Sequence, residues 1–444
     1  MSDAGQSLIQ DTIAPLESAA DVLAACDALA AISRSDSGID RRYLTREHAG
    51  ANAMMAAWLG AAGLRSWQDG AGNQWGCWCP ATLVGEPDVP RLVIGSHLDS
   101  VPDAGRYDGI LGVLLGIAAL THFQSQATHH DKTLPFALEV VGFGDEEGVR
   151  FGATLLGSHA IAGGWQPEWE ALKDEDGMSL RDALQAFGLS GQTAAQASLQ
   201  STPPLGYLEV HIEQGPVLEA ENLALGTVTG IAGARRFAVN FVGQAGHAGT
   251  TPMAMRQDAL CAAAEWALAV EALARDVQQG KRSDMPDHSL VATVGCCELH
   301  PGAVNVIPGG ATLSLDIRAL DDAQRDRALD ELLSTAEGIA TRRGIRVTHQ
   351  QTHAADAVAC DAHLMKAVDA GIASTGQPAF RLPSGAGHDA MAISHLCPVG
   401  MLFLRCERGI SHHPLEAVNE EDVARALAAL IASIESLAAE QGSQ

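Results

Sequence analysis

Residues 91–147 alternate in a way that few folds accommodate. The β-rich run RLVIGSH (91–97) leads into a long apolar stretch, GILGVLLGIAALTHF (109–123), and then into a second β-rich run, PFALEVVGFGDEE (135–147). A strand, a buried helix and a strand in that order suggest a sheet with parallel pairs, in which functional groups gather at strand ends. Both β-rich runs end in glycines and acids. Two more strands run into polar loops: GYLEVHIEQGP (206–216), and VGMLFLRC (399–406) followed by ERGISHHPLEAVN. Apolar residues recurring at three and four predict helices over 15–33, 45–62 and 361–375 and from 420 onward.

After Pro216 the pattern changes. A strand-like region at 226–243 precedes a loop, GQAGHAGTTPMAMR, and a long Ala-rich helix over 254–279. Strands near 290–299 and 310–319, a helix over 322–343 and the run IRVTHQQ complete a βαββαβ order, which matches a split-βαβ sandwich able to fold by itself. From about 354 the first pattern returns. The expected fold class is therefore α/β: a mixed-sheet catalytic domain, residues 1–216 and 353–444, interrupted by an inserted βαββαβ domain, residues 217–352. A chain of 444 residues is long enough for two such domains.

Composition narrows the partners. Lys and Arg total 28 against 54 Asp and Glu, a formal charge of −26. That field argues against nucleic acid or an anionic membrane and suits a soluble enzyme with acids to spare for metal ligands. The nine cysteines are scattered, without a disulfide or zinc-finger rhythm. Most read as small buried apolar residues in a reducing compartment. No basic start followed by an apolar stretch marks a signal peptide, and no run approaches the length of a membrane span, so a cytoplasmic location is expected.

Four loops carry chemistry. The first, GSHLDSVPDAGRYDG, holds His97, Asp99 and Asp108; the second, GDEEGVRF, holds Glu146 and Glu147; the third, EVHIEQGP, holds His211; the fourth, GISHHPLE, holds His412 and His413. His97 and Asp99, two apart on an extended chain, point to the same side, where a carboxylate can steer a metal-binding imidazole. Each loop follows a strand, so all four can meet at one sheet edge. Mixed imidazole and carboxylate ligands suit a pair of Zn, Mn, Co or Ni ions rather than Ca or Mg. Of two adjacent acids, one can bind a metal while the other handles a proton. Taken singly, each feature has an ordinary reading: turn chemistry for Asp103 and Asp108, a solvated pair for the two glutamates. The argument rests on four such loops at four strand ends.

The ordered motifs GSHLDSVPDAGRYDG, GDEEGVRF, HIEQGPVLE, GHAGTTPM, GAVNVIPG, DIR, SGAGHDA and GISHHPLE resemble the amidase/hydantoinase–carbamoylase branch of the M20 metallopeptidase-like family, from about residue 20 to 435. The resemblance implies two divalent metal ions per subunit bridged by Asp108, one further held by His97 and His211, the other by Glu147 and His412. It implies that Asp99 orients His97 and that Glu146 is the general base, passing a proton from the attacking water to the leaving nitrogen. The inserted domain would be a lid and homodimerisation domain. His247 would reach the neighbouring subunit's active site and support the oxyanion. Arg236, Asn305 and Arg318 would bind the substrate carboxylate, with Gln214, Gly385 and Gly387 near the ureido group. A planar arginine fork suits a carboxylate in any case, and of the neighbours Arg235 and Arg236 only one can face a cleft. His388 and His413 are left without a role. In the related dipeptidases and aminoacylases an acid usually stands where His211 is here, so the resemblance points to hydrolysis of a small ureido carboxylate, an N-carbamoyl-L-amino acid, to ammonia, carbon dioxide and an amino acid. Allantoate hydrolysis is the alternative within the branch, and an aminoacylase or dipeptidase the alternative outside it.

Overall fold

A computed structural model of the chain describes residues 13–441, apart from 87, 131–132, 190 and 192. The chain divides into two compact units. The first takes residues up to Thr229, Cys360–Leu382 and the chain from His388; the second takes Gly230–Ala359 and Pro383–Gly387.

The first unit is built on a mixed sheet. Across it lie Arg65–Gln68, Gln74–Trp78, Ala137–Phe143, Arg91–His97, Gly206–Ile212, Val399–Leu404 and Leu225–Ile231. The four strands from Ala137–Phe143 to Val399–Leu404 run parallel, flanked by antiparallel neighbours. Three of these four are buried at every position, which is why they read as continuous apolar runs rather than alternating ones. Helix Ile110–His130 supplies the crossover between Arg91–His97 and Ala137–Phe143 and packs on both, and on Gly206–Ile212. Helices Ala19–Ala30 and Glu420–Gln441 pack on it in turn.

The crossover helix corrects one sequence reading. It continues past 123 to His130, 21 residues in all, and is long and apolar enough to cross a membrane. Its most apolar window is 72% buried inside the protein, so the apolar surface that mimics a span is the surface that covers the sheet.

The second unit has the βαββαβ order. Its sheet is antiparallel: Cys297–His300, Gly310–Ala319, Gly233–Val242 and Arg346–Ala355, with Val291–Thr293 also paired to Gly310–Ala319. Helices Ala259–Gln278 and Asp322–Arg343 cover one face. Strand Gly310–Ala319 alternates without a break, with Ala311, Leu313, Leu315, Ile317 and Ala319 buried in the helix-side core beside Trp266 and Phe241. That period-two pattern assigns Thr312, Ser314, Asp316 and Arg318 to the open face.

The expected changes of domain at 216/217 and 352/353 differ from the change-overs at 229/230 and 359/360. Residues past Pro216 form a short helix, Val217–Ala220, and Leu225–Thr227 pair with Val399–Leu404, which keeps this stretch in the first unit. Strand 226–243 is two strands, Leu225–Ile231 and Gly233–Val242. Of the cysteines, five are buried, Cys79 is half-buried and Cys261, Cys296 and Cys297 are exposed.

Gly112 shows how closely the crossover helix sits on the sheet: a Cβ there would lie 1.9 Å from the Val210 carbonyl oxygen. Backbone cannot yield as a side chain does, so Gly112→Ala is expected to destabilise the protein by about 1–3 kcal/mol. Gly60, exposed in helix Arg46–Ala61 with nothing within 4 Å of such a Cβ, is the control: Gly60→Ala should be neutral or stabilising by up to about 1 kcal/mol. Denaturant midpoints measured at constant m-value check both.

Candidate metal centre

The C-terminal ends of the four parallel strands deliver the four loops to one place, all within the first unit. Arg91–His97 ends in His97 and leads to Asp99 and Asp108; Ala137–Phe143 leads to Glu146 and Glu147; Gly206–Ile212 carries His211 and leads to Gln214; Val399–Leu404 leads to His412.

Asp108 lies at the centre. Its Oδ1 is 3.2 Å from His211 Nε2 and 4.0 Å from His97 Nε2, while its Oδ2 is 3.0 Å from His412 Nε2. Glu147 Oε1 is 3.5 Å from the same His412 nitrogen. Two groups therefore share one carboxylate, His97–Asp108–His211 and Asp108–Glu147–His412, and in each the donor atoms lie within 4.8 Å of one another. Each group could hold a metal ion. Both buried imidazoles are oriented for it. His97 Nδ1 is 3.0 Å from the Asp99 carbonyl oxygen and His211 Nδ1 is 2.8 Å from that of Ile212. A proton on each Nδ1 leaves Nε2 free as a ligand. Gly109, at φ +72°, packs where a Cβ would strike the His97 ring at 2.4 Å, so only glycine serves there.

Asp99 does more than face His97. Its carboxylate, 3.8 Å from His97 Nδ1, accepts the backbone N–H of Glu146 at 3.1 Å and of Glu147 at 3.2 Å. It thus ties the first loop to the second. Glu146 groups with His97 and Glu147. Gln214 donates its amide to both Asp108 oxygens at 3.1 Å and to Ser411 at 3.2 Å, so its side chain rests on Asp108.

Several contributors carry no role in the sequence reading. Glu416 accepts the backbone N–H groups of Tyr107 and Asp108 at 2.7 and 3.2 Å and the Ser411 hydroxyl at 3.0 Å, bracing Asp108 from behind. Buried Glu209 accepts from Ser96 and from the Ala390 N–H and groups with His211 and His388. The His388 ring stands edge-on to His211, centroids 4.5 Å apart. His413 accepts the Leu415 N–H and lies exposed. The fully buried Arg41 donates to the carbonyls of Leu98, Leu29 and Ile32, holding the loop after His97. Glu416 stands within the quoted GISHHPLE motif; Arg41 lies outside every motif and had no signal.

Charge crowding shifts these groups. Burial works to raise the Asp108 pKa, but the hydrogen bond from His412 and the charges of His211 and His97 hold it well below the carboxylate range. The same hydrogen bond raises His412 to about 9. Burial, then Asp108, raises Glu147 to about 8 and Glu416 to about 7. Burial and the neighbouring Glu147, Asp389, Asp99 and Asp108 push Glu146 well above its usual value.

The remaining site residues belong to the second unit. His247 and Asn305 are brought together by a two-stranded ribbon, in which His247 pairs with Val306 and the Ala248 N–H donates to the Asn305 carbonyl at 2.9 Å. His247 Nδ1 accepts the Gly249 N–H at 3.1 Å, so a neutral ring presents Nε2–H as a donor. Arg236 and Arg318 both grip Asp316, and Arg318 also donates to the Gly385 carbonyl. Arg235 turns to the helix-covered face and pairs with Asp356. Gly387 is exposed.

Residues 93–436 match peptidase family M20/M25/M40. The chain belongs to that family. It is 38% identical over 427 residues to an allantoate deiminase of Arabidopsis thaliana, covering 92% of this chain and 80% of that one. To an N-carbamoyl-L-amino acid amidohydrolase of Geobacillus stearothermophilus it is 36% identical over 394 residues, covering 87% and 90%. Among solved structures, an amidase of the hydantoinase/carbamoylase family from Burkholderia multivorans superposes with a TM-score of 0.85 at 31% identity, covering 95% of this chain and 98% of that one.

Metal ligands must be deprotonated to bind. With His412 near 9 and Glu147 near 8, both carry protons at pH 7 that a cation has to displace. Metal affinity of the metal-free protein should therefore rise with pH between about 6 and 9 and level off above that range. Calorimetry in buffers of different ionisation enthalpy should detect proton release, reduced by about one proton in His412→Ala; binding without proton release would contradict this assignment.

Proposed function

We propose that the chain is a metal-dependent amidohydrolase that cleaves the linear C–N bond of a small ureido carboxylate, releasing ammonia, carbon dioxide and an amino acid. The observation that carries the reading is the Asp108 carboxylate, turned toward two separate donor pairs beside Glu146. It occurs in a chain alike over about nine-tenths of its length to relatives named for ureido substrates.

Asp108, His97, His211, Glu147 and His412 would hold two divalent ions, of the Zn, Mn, Co or Ni class. Those ions supply Lewis-acid polarisation of the ureido carbonyl and of the attacking water. Glu146 takes the water's proton and delivers it to the leaving nitrogen. Asp99 keeps Glu146 and Glu147 in place through their backbone N–H groups. His247 donates to the developing oxyanion, and Arg236, Asn305 and Arg318 bind the carboxylate, with Gln214, Gly385 and Gly387 around the ureido end. The second unit is read as lid and dimerisation domain. Its exposed Met253, Met255, Leu268 and Val304 support a homodimer, and a cytoplasmic setting goes with this reading.

A second reading has its own support: the relatives named allantoate deiminases are 38–39% identical over more than nine-tenths of the chain. Ammonia release from N-carbamoyl-L-amino acids, N-carbamoyl-β-alanine and allantoate, beside amine release from an N-acetyl amino acid and a dipeptide, separates the alternatives. Preference for a carbamoyl amino acid supports the first reading and preference for allantoate the second. Turnover of the acyl or peptide compounds alone overturns both. Glu146→Gln should keep its metal content and lose about 10²–10⁴-fold in kcat.

A further inference from the structure

The open face of the second unit's sheet carries a charge arrangement that the proposed reaction does not by itself require. Arg236 and Asp316 are cross-strand partners, with Thr293 opposite Asp316 on the far side and His353 opposite Arg236. A cavity of about 570 Å³ opens over them, lined by Arg236, Thr293, Ser314, Asp316, Arg318 and Gly385 among others. Asp316 stands between the two arginines. It accepts Arg318 Nε and Nη2 in parallel at 2.8 and 2.9 Å, and Arg236 Nε at 2.8 Å. The Gly385 carbonyl accepts Arg318 Nη1 at 2.6 Å.

A guanidinium has five N–H donors in one plane. Three of Arg318's are engaged, which fixes its plane and leaves one N–H on each terminal nitrogen. Arg236, its side chain 48% exposed, uses only Nε on Asp316. One arm of the pair is rigid and the other adjustable, and Asp316 sets the distance between them. The charges facing this spot are Arg236, Arg318 and Asp316. His353, whose pKa is lowered by burial and by Arg236, stays neutral, and Arg235 is turned to the other face against Asp356. The sum is a single positive charge, enough to neutralise one carboxylate. A second carboxylate would meet no counter-charge here, in a chain whose formal charge is −26.

We propose that Asp316 is the positioning residue of a two-arginine carboxylate clamp, and that the single net charge it leaves selects substrates bearing one carboxylate and excludes those bearing two. The inference rests on the reading of Arg236 and Arg318 as the carboxylate-binding pair. The bidentate geometry supports it, because a carboxylate held by both guanidinium groups restrains two like charges at close range that would otherwise splay apart.

N-carbamoyl-L-glutamine and N-carbamoyl-L-glutamate are close in shape and differ by one charge. The wild-type holoenzyme should favour the glutamine compound about tenfold or more in kcat/KM. Asp316→Asn should raise KM for it about tenfold with kcat changed less than about threefold, and should narrow the preference to about threefold or less. Asp316→Glu, which keeps the charge, should retain the preference. Melting temperature and metal content check that each variant is folded. Calorimetric binding of the products L-glutamine and L-glutamate reads the clamp without turnover and should show the same discrimination. Discriminating binding without hydrolysis of any ureido acid would overturn the proposed reaction and leave the clamp standing. Equal or absent binding of both products by the wild type, an unchanged KM and preference in Asp316→Asn, or a Glu variant no better than the Asn variant would each overturn the clamp.

Discussion

Asp108 offers one oxygen to His97 and His211 and the other to His412, and the first unit is arranged so that this carboxylate can be held out of water with both oxygens in use. Burying an acid is costly unless its charge is compensated. Here the compensation comes from His97, His211 and His412, at three separate strand ends that must arrive at the same edge of the sheet. Parallel strands deliver their C-terminal ends together, and the crossover helix packed on Gly206–Ile212 brings the loop of Asp108 beside His211. Glu416 and Arg41 then hold the loop from behind, one by accepting the backbone N–H groups of Tyr107 and Asp108 and the other by donating to the Leu98 carbonyl.

The cost of this gathering shows in the backbone and in the acids behind the site. Asp145, Gln214 and His412 adopt left-handed conformations, at φ 66°, 56° and 54°, which non-glycine residues avoid unless the surroundings impose them. Asp145 and Gln214 each stand two residues past a strand end, and His412 lies in the loop beyond Val399–Leu404. Asp145 is buried with no hydrogen-bond partner for either carboxylate oxygen among the described residues, Asp389 is buried beside the Ser158 hydroxyl, and burial raises both well above the ordinary range. Burial and the neighbouring acids thus disfavour the charged form of both.

Much of this was legible in the chain. The parallel runs, the crossover helix and the βαββαβ insertion follow from periodicity, and His97, Asp108, Glu147, His211 and His412 are picked out by standing just beyond apolar runs. Residues that act through another chain segment were not legible. Glu416 touches the Asp108 N–H across 308 positions, and although it stands in the GISHHPLE motif, nothing local tells what it touches. Arg318 was readable as a carboxylate binder, whereas Asp316, two residues before it, was only part of a short motif. The pairing of Asp316 with Arg236 depends on the register between two strands, which a one-residue slip would abolish.

By itself the sequence determined which elements form and which residue types stand at their ends, because apolar periodicity and turn chemistry act over a few neighbouring positions. The tertiary structure decided which nitrogen of each histidine is free, which acids are charged, and which of two adjacent arginines meets Asp316. Those properties depend on contacts of 2.8–3.2 Å that the fold sets, and at such range burial, charge and hydrogen bonding set the chemistry of a side chain more than its identity does.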